Sequence, residues 1–231
     1  MTAIHFIGGE KGGVGKSVVA RLLAQFCIDK TIPFAAFDAD SSHGTLRRFY
    51  DGYCRSVDLT SFDSADAIFA QASADGLRNV LVDLPAQSDR LIDRWMDTTG
   101  IVDVAAESGI PLVFWHVMDD GKDSVRLLAN LLARHGERVS YCVVENLGRG
   151  KDFSLFESSQ AKVEAERMNA TILALPELHG PAMQRIDQTD ASFWAAVNGA
   201  GADGLSRLDR QRVRVWLYRV YERLATAPHL L

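Results

Sequence analysis

The stretch Gly8-Gly9-Glu10-Lys11-Gly12-Gly13-Val14-Gly15-Lys16-Ser17 holds glycines, two lysines and a hydroxyl within ten residues. Glycines let a backbone curl until successive N–H groups point at one anion, and a helix starting at the end of the curl adds its positive dipole end. A lysine at position 16 reaches the β- and γ-phosphates of a nucleotide, and the Ser17 hydroxyl holds Mg²⁺. The loop pattern GxxxxGK[ST] fails at its first position, where Glu10 stands. A narrower pattern, Lys11-Gly12-Gly13-Val14-Gly15-Lys16-Ser17, fits throughout. Gly12, Gly13, Val14, Gly15, Lys16, Ser17 and Val18 are therefore the expected phosphate-binding residues.

Acids follow at two places. Phe37-Asp38-Ala39-Asp40 ends an apolar run, and Asn79-Val80-Leu81-Val82-Asp83-Leu84-Pro85-Ala86 places Asp83 after another. Carboxylates at the carboxyl ends of strands sit on the edge where open α/β sheets take ligands. The second run reads as a strand whose Asp83 binds Mg²⁺ through water. Asp38 and Asp40, read alone, fit equally an Asx turn leading into a helix over Thr45 to Phe49.

These residues need a scaffold, and the rest of the chain describes one. Short apolar runs at Ala3 to Ile7, Phe34 to Phe37, Val80 to Leu84, Pro111 to Val117, Val139 to Val144 and Thr171 to Leu175 suit strands buried on both faces. Between them lie helical patterns at Lys16 to Asp29, Ser64 to Ala74, Ser88 to Asp97, Asp123 to His135 and Gln160 to Asn169. Strand–helix alternation predicts an α/β fold, a doubly wound, mostly parallel sheet flanked by helices. At 231 residues the chain is expected to form a single domain over 1–231, with 205–226 a C-terminal helix packed on it. Gly199 to Gly204 is the one Gly/Ala-rich break, expected to join two helices.

Composition excludes several classes. With 47% hydrophobic and 24% charged residues the chain is not disordered, and no apolar run is long enough to span a bilayer. Cys27, Cys54 and Cys142 are too far apart for a disulfide framework or a zinc site, so buried, reduced thiols in a cytoplasmic protein are expected. A net charge of −5 confines any nucleic-acid contact to a local patch.

The Lys11 to Ser17 loop resembles that of the deviant Walker A ATPases, a family that includes ParA, MinD, the nitrogenase iron protein and the arsenite-pump ATPase. Their loop reads KGGxGK[ST], and its first lysine, matched by Lys11, implies a cation that crosses a dimer interface to the partner's nucleotide. The resemblance makes Lys11, Lys16 and Asp40 catalytic: Asp40 orients or deprotonates the attacking water. Asp38, Ser17 and Asp83 would serve Mg²⁺. It further implies an adenine pocket at Asn146, after Val143-Val144-Glu145, and at Pro176 and Glu177, after Ala174-Leu175. Asn146 reads equally as a cap on the following turn. Two departures stand out: Ser41-Ser42-His43-Gly44 replaces the Pro-Gln usual in ParA proteins, and Ala86-Gln87-Ser88 stands where a γ-phosphate glycine is common.

The segment Ser206 to Thr226 places Val213, Trp216, Leu217, Val220 and Leu224 on one stripe and carries Arg207, Arg210, Arg212, Arg214, Arg219 and Arg223. It reads first as a helix docked on the sheet. Non-specific DNA binding through its arginines, as in ParA-type dimers, is a second use. A MinD-like membrane helix is weaker, because Pro228-His229-Leu230-Leu231 is too short to extend it. The implied function is an ATP- and Mg²⁺-dependent homodimerising switch with slow hydrolysis, positioning DNA or protein or serving plasmid maintenance or transfer, with an unidentified protein partner. The alternatives are an ATP-dependent metabolic ligase or synthetase of the same fold, or a nucleotide-gated adaptor with negligible hydrolysis.

Overall fold

Period-two burial along continuous apolar strands decides the layout. The computed structural model describes residues 2–40, 44–74, 76–200 and 204–231. The strands are β1 (Ala3–Gly8), β2 (Phe34–Asp38), β3 (Cys54–Ser56), β4 (Asn79–Asp83), β5 (Leu112–Met118), β6 (Ser140–Asn146) and β7 (Thr171–Leu175). They pair in parallel in the order β3-β2-β4-β1-β5-β6-β7. Ile4 and Phe6 of β1 join one core with Val80, Val82 and Phe114, while Ile7 joins the opposite core with Leu81, Val113 and Trp115. Both faces are therefore covered, as a parallel sheet requires.

Helices α1 (Lys16–Asp29), α2 (Thr45–Phe49), α9 (Gly180–Gln188), α10 (Phe193–Asn198) and α11 (Arg207–Leu224) cover one face. Helices α3 (Phe62–Ala72), α4 (Asp89–Thr99), α5 (Ile101–Glu107), α6 (Lys122–His135), α7 (Ser154–Glu157) and α8 (Gln160–Arg167) cover the other. This is the doubly wound α/β sheet that the sequence predicts. The buried stripe of α11 is Val213, Trp216, Leu217, Val220 and Leu224, the residues named from helical spacing.

The differences have local causes. Strand β3 is three residues long at the sheet edge and only Cys54 is buried, so no apolar run announces it. Gly100, with φ 63°, ends α4, the helix read over Ser88 to Asp97, and begins α5, a helix that the sequence reading did not place. The Ser41-Ser42-His43 departure and residues 201–203 of the Gly/Ala-rich break lie outside the described residues.

A buried polar chain pins the C-terminus beneath the sheet. Trp115 Nε1 donates to His5 Nδ1 at 3.1 Å, so His5 is neutral and carries its proton on Nε2, facing Asn79 Oδ1 at 2.9 Å. Asn79 Nδ2 then donates to Leu230 O at 3.0 Å. The three cysteines are buried and unpaired. Among the described residues no helix is long and apolar enough to cross a membrane.

Candidate nucleotide site

Strand β1 delivers the chain into the glycine loop, and two of its glycines are dictated by close approach. Gly9 has φ +136°, and a Cβ there would lie 2.5 Å from Val117 O of β5. Gly15 has φ +100°, and its Cβ would lie 2.3 Å from Asn146 Nδ2. Helix α1 then opens with no side-chain cap and no acid in its first turn. Its leading N–H groups and dipole are left to an outside anion. Lys16 Nζ donates to Lys11 O at 3.0 Å, closing the loop on itself. Burial lowers the Lys16 pKa, against the opposing pull of Asp83, Glu10 and Asp40. Burial is the larger effect on Lys16, and a polyphosphate placed against it would offset that effect by favouring the charged form.

Asp38 and Asp83 are register partners on β2 and β4. Asp38 spends both carboxylate oxygens on backbone, accepting from Asp40 N–H at 3.0 Å and from Arg47 N–H at 3.1 Å. It thereby folds the turn that carries Asp40. Asp83 is 1% exposed, and among the described residues neither of its oxygens meets a donor in full hydrogen-bond geometry, the Ser17 hydroxyl standing beside it. Burial first, then the Asp38 charge, push its carboxyl up to about 8, while the Ser17 hydroxyl and Lys16 pull the other way. A buried carboxylate beside a hydroxyl fits a hard cation such as Mg²⁺. Among the described residues no group of three or more His, Cys, Asp and Glu forms a metal cage. A cation here would take its other ligands from phosphate and water.

Lys11 is held within its own chain. Its Nζ lies 2.5 Å from Asp119 Oδ2, and Asp119 Oδ1 accepts from Ser124 Oγ at 2.7 Å and Gly121 N–H at 3.1 Å. Glu10 also has work: its Oε1 accepts from Asp89 N–H at 2.7 Å in the first turn of α4, tying the loop to the segment after β4. Burial and then Glu10 push the Asp89 carboxyl up to about 7.

On the other side of α1 opens a cavity of about 580 Å³, lined by Val18, Asn146, Leu175, Pro176, Glu177 and Trp216 among others. Asn146 Nδ2 donates to Val14 O at 2.7 Å, and Oδ1 accepts from Gly148 N–H at 3.0 Å. Asn146 thus joins β6 to the glycine loop and caps the turn after β6, the alternative that the sequence offered for it. Pro176 O accepts from Trp216 Nε1 at 2.6 Å, so α11 forms one wall. Glu177 pairs with Lys151 at the rim. Asp187, another lining residue, accepts from the buried Arg21 at 2.8 Å, whose guanidinium lies 3.6 Å over the Phe49 ring.

Sequence reasoning did not single out Asp119 or the Arg21–Asp187 pair, and it gave Glu10 and Trp216 no part in the site. Asp119 alone carried a signal, since it follows β5 at the same sheet edge as Asp38 and Asp83.

No protein-family model matches the chain. Protein TraL of Escherichia coli is 22% identical over 249 aligned positions that span all of both chains. Among solved structures, the septum site-determining protein MinD of Pyrococcus horikoshii, complexed with Mg-ADP, superposes with TM-score 0.55 and 16% identity, covering 98% of each chain. A ParA family ATPase of Chlorobium tepidum gives TM-score 0.54 and 16% identity, covering 94% of this chain and 98% of that one.

The fold is that of the ParA and MinD ATPases. Within this ParA/MinD fold, the glycine loop, Asp40, Asp83 and Asp119 gather at the carboxyl ends of β1, β2, β4 and β5. That is the crevice where open α/β sheets bind ligands.

Proposed function

We propose that the chain is a nucleotide-driven dimerisation switch that binds ATP with Mg²⁺, pairs with a second copy and hydrolyses the nucleotide slowly. One arrangement carries this reading: an uncapped α1 N-terminus and the buried Lys16 gather with the Ser17 hydroxyl and the buried Asp83 at the glycine loop. The α1 amides and Lys16 would take the β- and γ-phosphates. Ser17 and, through water, Asp83 would hold Mg²⁺, which neutralises charge on the phosphate oxygens. Asp40, held by its N–H to Asp38, would orient the attacking water. Lys11 would leave Asp119 to reach the partner copy's nucleotide, lowering the barrier as an arginine finger does. The output is positioning of DNA or protein, or plasmid maintenance or transfer, in the cytoplasm, through a protein partner.

Light scattering of Asp40→Ala protein tests this. A dimer with ATP·Mg²⁺ and a monomer with ADP·Mg²⁺ is the expected result; a monomer in both sinks the switch.

A metabolic ligase has one observation in its favour. A cleft of about 420 Å³ lies between α4 and α6 beside the glycine loop, lined by Glu10, Asp89, Asp93, Arg126, Asn130 and His135 among others. It offers both charges to a second substrate. ADP release only in the presence of a small carboxylic acid would favour that reading.

A further inference from the structure

We infer that Arg21 is a positioning residue for Asp40: buried one turn beyond Ser17, its guanidinium fastens α2, and with it the turn that carries Asp40, to the wall of the nucleotide cavity. The inference rests on the proposed role of Asp40 in orienting the attacking water. Arg21 has a side chain only 2% exposed, yet it is sparsely bonded. Its Nη1 donates to Asp187 Oδ1 at 2.8 Å, while Nε and Nη2 are buried and meet no acceptor among the described residues. Aromatic rings take up the rest: the guanidinium carbon lies 3.6 Å from the centroid of the Phe49 ring and 4.8 Å from that of Phe193. A guanidinium is the cation suited to such stacking, being planar and weakly hydrated.

Each contact leads to a different part of the site. Asp187 belongs to α9 and lines the nucleotide cavity, with its side chain 48% exposed. Phe49 closes α2, whose start hangs on Asp38 and Asp40. Gly44 N–H donates to Asp40 O at 2.8 Å, and Arg47 N–H donates to Asp38 Oδ2 at 3.1 Å. Asp38 Oδ1 in turn holds the Asp40 N–H at 3.0 Å. Arg48 repeats the fastening nearer the surface. It bonds Asp190, just beyond α9, at 2.7 Å, and its guanidinium lies 5.3 Å from the same Phe49 ring. The backbone of Asp40 is thus held from α9 by way of Asp187, Arg21, Phe49 and α2.

Stability alone is a poor account of Arg21. A buried ion pair returns little beyond its desolvation cost, and one with two unmet donors returns less. An unbranched apolar side chain would fill the same space. Such a group suits the task of fixing which arrangement α2 adopts, rather than how firmly the domain folds.

Arg21→Met separates the two roles, because it keeps most of the packing and leaves the Asp187 carboxylate in contact with solvent. In the nucleotide-free protein, the Asp40 and Arg47 amides should exchange hydrogen at least about tenfold faster, while those of Leu22 to Phe26 in α1 keep their protection. In the same variant kcat for ATP should fall at least about tenfold and KM should move by less than about twofold, since the phosphate loop is untouched. Phe49→Leu removes the ring and keeps the charge. It should reproduce both changes, and it decides alone if Arg21→Met fails to fold. The double variant should be no worse than either single one. Unchanged exchange at Asp40 and Arg47 overturns the inference, as does faster exchange spread evenly through α1, which would make Arg21 a stabiliser of the whole domain. A raised KM with kcat intact also overturns it, by making the pair a wall of the cavity only. The exchange measurement needs no nucleotide, so an unmodified chain that hydrolyses no ATP would sink the proposed switch while the role of Arg21 in holding α2 is still decided.

Discussion

Lys11 and Asp119 form an ion pair inside one chain, Nζ to Oδ2 at 2.5 Å, with the lysine 36% and the aspartate 17% exposed. A lysine that acts on a partner's nucleotide must first leave this contact. An ion pair so accessible to water is worth about 1 kcal/mol. Asp119→Asn should therefore tighten ATP-dependent association roughly fivefold in an Asp40→Ala background, and Lys11→Ala should abolish it. Sedimentation with ATP·Mg²⁺ checks both. An Asp119→Asn protein that associates no better than its parent would remove the latch from the account.

Asn146 joins Val14 O at 2.7 Å to Gly148 N–H at 3.0 Å while buried. Asn146→Ala leaves a buried acceptor and a donor unpaired, at a cost of about 1–3 kcal/mol. If the side chain is a brace, ATP, ADP and GTP should all bind more weakly by similar factors, because the loop itself loosens. If it reads the base, the ratio of adenine to guanine nucleotide affinity should collapse instead. Calorimetric titration of the three nucleotides decides.

Asp83 should destabilise the nucleotide-free fold as pH rises. Its folded pKa, pushed up to about 8, lies above the usual carboxylate value of 3.8. The folded state therefore binds more protons between those values, and stability falls as pH climbs through that window. Asp83→Asn removes the titration. Its unfolding free energy in urea without nucleotide should exceed that of the unmodified chain at pH 7–8, by roughly 2–5 kcal/mol, and the two should converge near pH 4. The same substitution should lose the extra stabilisation that Mg²⁺ gives with ATP. Equal stability at pH 8 would mean that the buried carboxylate is not under the strain described.

Much of this architecture was legible because its signals are local. The glycine loop, the carboxylates at strand ends and the α11 stripe each rest on spacing within one element, and the six apolar strands rest on continuous burial. What stayed hidden depends on distant pairing. Glu10 meets the α4 amide across 79 residues, and Lys11 meets Asp119 across 108. Trp216 showed only an apolar residue on a helical stripe. Its indole N–H acquires a partner once α11 folds back to the loop after β7. Strand β3 failed for the opposite reason: an edge strand of three residues buries too little to leave a pattern.

Trp216 offers the most direct test of the proposal that α11 helps to hold nucleotide in the cavity it walls rather than merely covering the sheet. Its indole donates to Pro176 O at 2.6 Å, and its ring meets Phe193 at a centroid distance of 5.3 Å and 62°. Trp216→Phe keeps most of the ring packing but drops the hydrogen bond, at a cost of about 1 kcal/mol. The loop of Pro176 and Glu177 would then lose its tether, so ADP affinity should fall a few-fold while the fold persists. In the unmodified chain, nucleotide should also change the fluorescence of this indole, a change that the variant lacks. Unaltered ADP affinity in a folded Trp216→Phe protein would make the helix a cover only, and the base would have to be held by the α1 side of the cavity alone.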